Sequence, residues 1–126
     1  HNRCRRQRQM CIRDRKFIGT LCVEFFIDRN ENLFVNEIAP RVHNSGHLTI
    51  NAYNVSQFEN HVRAVCSLKK VSLKKLSNAK MINLIGSQIE QYRKSNNLGE
   101  NEFFFDYLKK EIKAKRKMGH ITTLIK

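Results

Sequence analysis

The sequence has no apolar run that approaches the roughly 20 residues of a membrane-spanning helix. Its basic first residues are not followed by the apolar core of a secretory leader. None of the four cysteines stands in a CxxC pair, which gives little support to a zinc site or a disulfide framework. We therefore expect a cytoplasmic protein without a membrane partner, in which Cys22 and Cys66 pack as ordinary small side chains.

Acidic residues are also scarce, since 11 Asp and Glu stand against 24 Lys and Arg, for a net charge of +13 over 126 residues. A surplus of this sign attracts nucleic acid, so a small basic nucleic-acid-binding module is one candidate function. The length suffices for one small domain or two subdomains with a modest core.

The positive charge is unevenly distributed. Residues 1–15 carry six Arg, no Lys and one Asp, whereas the remainder is rich in Lys, Asn and Ile. The segment is either an arm that grips phosphates or a sequence foreign to the domain, introduced at a cloning or assembly junction. We favour the second hypothesis, which an uninterrupted reading frame in the source gene would contradict. Because the chain starts at His1 rather than Met, we also expect a fragment or a trimmed product.

Two runs rich in β-branched and aromatic residues, 23–28 and 33–38, predict a β-hairpin. The four residues between them are turn material, because Asn tolerates left-handed backbone angles. A turn centred on Asn30 and Glu31 sets the register of the two strands. The predicted facing pairs are Asp28 with Leu33, Phe26 with Val35, and Glu24 with Glu37.

The predicted pair of glutamates, Glu24 and Glu37, needs a physical reason. Directly opposed side chains have Cβ atoms roughly 4.5–5.5 Å apart, where two carboxylates repel. A shared proton would offset the repulsion, and a divalent cation would do so better, since magnesium sites use one or two carboxylates plus substrate phosphates. A register shifted by one residue would instead point one glutamate into water. By the same alternation, Leu33 and Val35 share the face of Glu24, and Phe34 lies on the opposite, apolar face.

A polar loop follows the hairpin, because Pro40, the single proline, lacks the donor that a strand needs. The loop carries side chains suited to an anionic ligand beside the carboxylates. They are Arg41, His43, Asn44, Ser45 and His47. The spacing of its two histidines also allows a pair of metal ligands, although Gly46 disfavours a helix there.

The rest of the chain alternates between helical and extended patterns. Ser56 and Glu59 have the form of a capping box, which predicts a helix over about 56–66 with its apolar stripe in the core. The other predicted elements are a Lys-rich connector at 68–79, a buried strand at 80–86 and a final strand at 118–125. Residues 87–101 have no clear pattern, and 102–117 fit either a helix or a strand.

Four motifs, in this order, resemble one family. They are VNEIAPRVHNSGH at 35–47, SQFE at 56–59, MINLIG at 81–86 and RKMGH at 116–120. Together they are similar to the C-terminal part of 5-(carboxyamino)imidazole ribonucleotide synthases, ATP-grasp enzymes of purine biosynthesis, over about residues 17–125. The formate-using relatives typically have His-Asp-Thr-Gly where this chain has His-Asn-Ser-Gly, and the biotin-dependent carboxylases lack the loop.

This resemblance implies an α+β fold. The expected domains are a leader at 1–15, the C-terminal part of an ATP-grasp domain at 16–79, built of an antiparallel hairpin and a packed helix, and a small β-rich subdomain at 80–126. The implied reaction phosphorylates bicarbonate with ATP and transfers the carboxyl group to the amine of aminoimidazole ribonucleotide, in de novo purine (IMP) synthesis. ATP and Mg²⁺, with Mn²⁺ as an alternative, are the implied cofactors, and the complete enzyme is expected to be a cytoplasmic homodimer without a nucleic-acid partner.

The resemblance also implies roles for individual residues. Glu24 and Glu37 match the magnesium-binding glutamates, and Asn36 with Glu37 matches the pair that contacts ATP. Arg41 is the implied catalytic residue. The implied ribonucleotide-binding residues are Arg41, His43, Asn44, Lys110 and Arg116.

Two departures from the family limit these expectations. Ala114-Lys115 replaces the Pro-Gly turn that usually precedes the Arg-Lys pair, so Lys109 and Lys113 remain alternatives to Lys110. The chain also lacks the Gly-rich phosphate loop and the adenine pocket of the family's central domain. We therefore predict that this polypeptide alone does not turn over, which ATP-dependent carboxylation by it would contradict.

Overall fold

The computed structural model describes residues 17–95 and 98–125, which form two compact units. Within the described residues, the N-terminal unit comprises 17–46 and 55–72, and the C-terminal unit comprises 47–54 and 73–125. No helix in these described ranges is long and apolar enough to cross a membrane. The Arg-rich segment at 1–15 lies outside them, so the hypothesis about its origin stays a prediction.

The described residues contain two antiparallel sheets and three helices, which confirms the α+β class. In chain order the elements are β1 (Cys22–Ile27), β2 (Leu33–Ala39), a 3-10 turn (Asn44–Gly46), α1 (Thr49–Ala52), α2 (Gln57–Val65), β3 (Asn78–Ile85), α3 (Gln88–Lys94), β4 (Glu102–Asp106) and β5 (Lys117–Ile125).

The hairpin turn is organised by the side chain of Asp28. Its Oδ1 accepts hydrogen bonds from the backbone N–H groups of Asn30 and Asn32, both at 2.8 Å, and its Oδ2 accepts from the Asn32 amide at 3.0 Å. These bonds, with that of the Asn32 side chain the strongest, hold the pKa of Asp28 below its usual value. Glu31, rather than an asparagine, takes the left-handed conformation, with φ of 62°.

The register near the turn differs from the prediction. The observed partners are Ile27 with Leu33, Phe26 with Phe34, and Phe25 with Val35. The predicted partners of Asp28 and Phe26 are therefore wrong, because the turn takes five residues, 28–32, instead of four. Since opposed residues share a face, Phe34 lies on the face of Glu24, and Leu33 and Val35 lie on the other face.

A β-bulge restores the predicted pairing farther from the turn. The register shifts between Glu24 and Phe25 on β1, and Asn36 is the extra residue on β2. Beyond this bulge Glu24 stands opposite Glu37, as the sequence predicts.

Helix α2 begins where the sequence predicts, because Ser56 Oγ accepts a hydrogen bond from the Glu59 backbone N–H at 3.1 Å. The carboxylate of Glu59 pairs with Arg63 at 2.8 Å. The expectation that the apolar stripe is buried is wrong for the described chain, since Val62 is 54% and Val65 58% exposed. The helix instead directs the polar side chains of Gln57 and His61 toward the rest of its unit. Cys66, which follows the helix and was expected to pack as a small side chain, is exposed.

The C-terminal unit contains a three-stranded sheet and, unlike the subdomain predicted at 80–126, also includes residues 47–54 and 73–79. The sheet has the order β3–β5–β4, and the strands predicted at 80–86 and 118–125 are confirmed as β3 and β5. The expectation that the first of them is buried is wrong, since Ile82 is 52% and Ile85 42% exposed. The unassigned segment contains α3, and the ambiguous segment contains β4 followed by turns. The buried core consists of Leu84, Ile89, Met118 and Ile121, with Tyr92 and Phe104 packed against it.

Helix α3 packs closely on the sheet at Gly119. A Cβ atom there would lie 2.7 Å from Ile89 Cδ1 and would also meet the backbone oxygen of Phe105. The glycine in the RKMGH motif thus leaves room both for the helix and for the neighbouring strand β4.

A strained turn follows β4. Asp106 accepts two hydrogen bonds from the Arg93 guanidinium, at 2.6 and 3.0 Å, and a third from the Leu108 backbone N–H at 2.8 Å. The arginine holds the pKa of Asp106 below its usual value. These contacts keep Leu108 at φ of 52°, a conformation that costs a residue with a Cβ atom free energy.

We expect Leu108→Gly to stabilise the C-terminal unit by about 1 kcal/mol, because glycine adopts this φ without steric cost. Little burial is lost, since Leu108 is 81% exposed. Urea unfolding followed by tyrosine fluorescence measures the change. Leu73→Gly is the matched control, because Leu73 is also exposed, at 60%, and is not among the described residues with a positive φ, so its replacement should not stabilise. Equal effects of the two substitutions would contradict the strain argument.

Candidate functional site

The carboxylates of Glu24 and Glu37 lie together on one face of the hairpin, because the bulge at Asn36 makes the two residues direct partners. His43, from the loop after β2, completes a group of three. Each side chain offers one ligand atom, and these atoms lie within 4.8 Å of one another. Hard carboxylate oxygens suit Mg²⁺ or Mn²⁺, and an imidazole nitrogen is compatible with Mn²⁺. The set therefore fits a small divalent cation.

Little of the negative charge is balanced by the neighbouring arginine. Arg41 lies 3.6 Å from Glu37 Oε1, and its side chain is 60% exposed. An exposed ion pair of this length contributes at most about 1 kcal/mol. The repulsion between the two carboxylates is thus only weakly offset, and a cation between them would offset it directly.

The Nδ1 atom of His43 lies near one group that can only donate a hydrogen bond and another that can only accept one. It lies 3.3 Å from Glu24 Oε1, 2.8 Å from Ser45 Oγ and 3.4 Å from the Ser45 backbone nitrogen. The backbone N–H can only donate and the carboxylate can only accept, so one ring nitrogen cannot satisfy both. A cation held by Glu24 and the Nδ1 lone pair would remove the conflict with the carboxylate, and the Ser45 backbone N–H would then no longer donate to Nδ1.

The other implied site residues fall into two groups. Arg41 and Asn44 share the N-terminal unit with the three candidate ligands, on the loop after β2. Lys110 and Arg116 belong to the C-terminal unit, on the segment between β4 and β5. Their roles stay predictions.

The ammonium group of Lys109, on the same segment, is oriented by two contacts. Its Nζ donates a hydrogen bond to the Lys117 backbone oxygen at 2.5 Å and lies 5.3 Å from the centre of the Tyr107 ring. Partial burial, and then the charge of Arg116, lower the pKa of its ammonium group.

A cluster of rings in the C-terminal unit was not singled out by the sequence analysis. His120 is 1% exposed, stacks on Phe105 at 4.9 Å, and lies with Nδ1 2.9 Å from the Tyr107 hydroxyl. His47 lies 5.4 Å away, between ring centres. Burial, and then the charge of His47, lower the pKa of His120 to about 4, so His120 is neutral at pH 7. Its place within the RKMGH motif was the available signal.

Two family models match the chain. The ATP-grasp domain model matches residues 6–58, and the phosphoribosylaminoimidazole carboxylase C-terminal domain model matches residues 79–126. The first match begins inside the Arg-rich segment.

Curated relatives carry one common name. The N5-carboxyaminoimidazole ribonucleotide synthase of Staphylococcus epidermidis is 43% identical over 131 residues, which cover 98% of this chain and 33% of that protein. The synthase of Staphylococcus aureus (strain COL) is 48% identical over 86% of this chain and 29% of its own length. The chain thus spans about a third of the length of these relatives.

Solved structures agree with this match. The N5-carboxyaminoimidazole synthetase of Staphylococcus aureus has a TM-score of 0.80 and 42% identity, over 98% of this chain and 34% of that one. The Aspergillus clavatus synthase in complex with ADP and aminoimidazole ribonucleotide has a TM-score of 0.76 and 34% identity, over 85% of this chain and 30% of that one.

We expect the C-terminal unit to lose stability as the pH falls from about 6.5 to about 4. An unfolded histidine has a pKa of about 6.5, and His120 in the folded unit has one of about 4. Between these values the unfolded state binds more protons, so lower pH favours unfolding, by up to about 3 kcal/mol.

Tyrosine fluorescence during urea unfolding measures this pH dependence. The sequence has no tryptophan, and its three tyrosines, at 53, 92 and 107, all lie in the C-terminal unit. His120→Gln should flatten the dependence between pH 6.5 and 4. A slope that persists in this variant would contradict the assignment to His120.

Proposed function

Because the chain belongs to the N5-carboxyaminoimidazole ribonucleotide synthase family, we propose that it supplies part of the nucleotide and ribonucleotide sites of such a ligase. The complete enzyme would convert aminoimidazole ribonucleotide, bicarbonate and ATP to the carboxyamino product, ADP and phosphate. The observation that carries the proposal is the pairing of Glu24 with Glu37 across the bulged hairpin, with His43 beside them.

Glu24 and Glu37 are proposed to hold Mg²⁺, for which Mn²⁺ is a substitute, at the terminal phosphates of ATP. The bound ion would offset the charge that develops on the β- and γ-phosphates during phosphoryl transfer. Asn36 and Glu37 would contact the nucleotide from the bulge itself. A bulge suits this role, because it redirects side chains at one point of a strand.

Arg41, His43 and Asn44 are proposed to bind the ribonucleotide. Arg41 is also proposed as the catalytic residue, since its exposed guanidinium is only loosely paired with Glu37 and retains donors for an anion. The fork of this group can engage carboxyphosphate or the ribonucleotide with two parallel hydrogen bonds.

Arg116 and one nearby lysine are proposed to bind the ribonucleotide phosphate. The family pattern assigned Lys110, with Lys109 as an alternative. Lys109 is oriented by Lys117 and Tyr107 and carries a lowered pKa. A pre-oriented, partly desolvated ammonium group binds a phosphate at a lower entropic cost than a freely rotating one.

We expect Glu37→Gln to abolish metal-dependent function. In the complete enzyme made by substituting residues 17–126 for the matching third of the Staphylococcus aureus relative, kcat should fall about 100-fold or more. In the 126-residue chain, Mn²⁺ affinity, measured by electron paramagnetic resonance, should fall at least about tenfold. Glu31→Gln, in the hairpin turn, is the charge-matched control and should change neither. Wild-type turnover by Glu37→Gln would refute the proposed metal site.

We expect the two lysines to differ in the same complete enzyme. Lys109→Met should raise the KM for aminoimidazole ribonucleotide about tenfold and leave the KM for ATP unchanged, because one charge-assisted hydrogen bond to the phosphate is lost. Lys110→Met is the matched control. The reverse ranking would assign the phosphate contact to Lys110, as the family pattern alone suggested.

A further inference from the structure

Gln57, the first residue of α2, is a buried polar side chain at 9% exposure. Its side-chain amide forms hydrogen bonds with the backbone of His43, in the loop after β2. Oε1 accepts a hydrogen bond from the His43 backbone N–H at 2.9 Å, and Nε2 donates one to the His43 backbone oxygen at 2.7 Å. A single side chain thus bonds to both backbone polar groups of His43. The His43 oxygen also accepts from the Gly46 backbone N–H at 3.0 Å, so removal of Gln57 would leave the His43 N–H as the unpaired group, which is costly where it is buried.

Gly46 backs the same amide. A Cβ atom at Gly46 would lie 2.5 Å from Gln57 Oε1 and 2.8 Å from Gln57 Cδ. The φ of Gly46 lies outside the left-handed region, so space, not backbone conformation, requires glycine at this position. Gly46, near the end of the loop, therefore packs against the Gln57 amide, which is hydrogen-bonded to His43 nearer its beginning.

The backbone of Gln57 is also tied to the strand that carries Glu24. Its carbonyl oxygen accepts a hydrogen bond from Thr20 Oγ1 at 3.2 Å, and the Thr20 backbone N–H donates to His61 Nδ1 at 3.1 Å. Since Thr20 lies two residues before β1, the first two turns of α2 contact both the His43 loop and the segment that leads into β1.

We infer that Gln57 is a positioning residue that holds the His43 backbone so that its imidazole faces Glu24. The roles of His43 and Glu24 in this statement rest on the proposed function. We call the Gln57 amide bonded to the His43 backbone the clamp. It rests on two hydrogen bonds to His43 and on the close approach of Gly46. In this role Gln57 acts through His43.

Amide hydrogen exchange of the 126-residue chain tests the clamp without any substrate. Gln57→Ala should lower the protection of the His43 amide at least about tenfold, because its acceptor is removed. The Asn60 amide, which donates to the Ser56 oxygen at 2.9 Å, should keep its protection. Glu59→Ala, on the same helix, is the control and should leave His43 protected. Gln57→Glu keeps an acceptor for the His43 N–H but at neutral pH lacks the donor, so an intermediate loss is expected.

Steady-state kinetics of the complete enzyme test the consequence. Gln57→Ala should raise the KM for aminoimidazole ribonucleotide about tenfold, with the KM for ATP unchanged. A purely structural role would lower the active fraction, and hence the apparent kcat, and leave both KM values unchanged. Gln57→Glu should again fall between Gln57→Ala and the wild type.

Gly46→Ala gives a second perturbation that leaves α2 intact. Its methyl group should displace the Gln57 amide and raise the same KM. Because both substitutions act through one clamp, the double variant should show no larger effect than Gln57→Ala alone. Effects that multiply in the double variant, or an unchanged KM in either single variant, would overturn the inference.

The two proposals fail separately. Full activity of Glu37→Gln would overturn the proposed function, whatever the exchange data show. An inactive Glu37→Gln enzyme, combined with an unchanged His43 amide and unchanged KM values in the Gln57 variants, would overturn the clamp alone.

Discussion

The repulsion between two carboxylates on one face of a short hairpin is the constraint on which the N-terminal unit depends. Glu24 and Glu37 are opposed only because Asn36 is inserted as an extra residue on β2. A regular ladder continued from the turn would have placed them on opposite faces. The hairpin thus contains an arrangement that is unfavourable by itself, and a cation bound between the carboxylates would relieve it.

The sequence predicted the pairing of Glu24 with Glu37 correctly but missed both the longer turn and the bulge. The two features shift the register by one residue each in opposite senses, so their effects cancel. The turn is one residue longer than assumed, because Asp28 leaves the ladder and binds the backbone of the loop. The bulge then adds one residue to the opposite strand. Neither feature has a reliable signal in the sequence, but their combined effect leaves Glu24 opposite Glu37. The pairing of the two side chains was therefore easier to predict than the backbone geometry that produces it.

Local signals predicted local structure. The capping Ser56 fixes the start of α2, and the apolar run at 80–86 forms β3. Burial was predicted less well, because it depends on which surfaces meet. The apolar stripe of α2 is exposed, while Gln57, which the sequence analysis treated only as part of a capping motif, is buried.

Contacts between distant residues could not be predicted from one sequence. The ring cluster joins His47 to Tyr107 and His120, and no spacing rule connects positions so far apart. The proposal of Lys109 over Lys110 likewise rests on contacts of the Lys109 ammonium group with Lys117 and Tyr107, which no spacing rule supplies. Coordinates were needed in both cases because the decisive quantity is an orientation.

The hairpin has a practical consequence for any measurement on the isolated chain. Phe25 is 50% and Phe26 61% exposed, on opposite faces of a two-stranded ribbon. Ribbons of this kind expose unpaired backbone edges and apolar side chains with which other copies can associate, and they are marginally stable by themselves. Titrations with Mn²⁺ should therefore be run over a dilution series, because self-association at high concentration would compete with folding and lower the apparent number of competent sites.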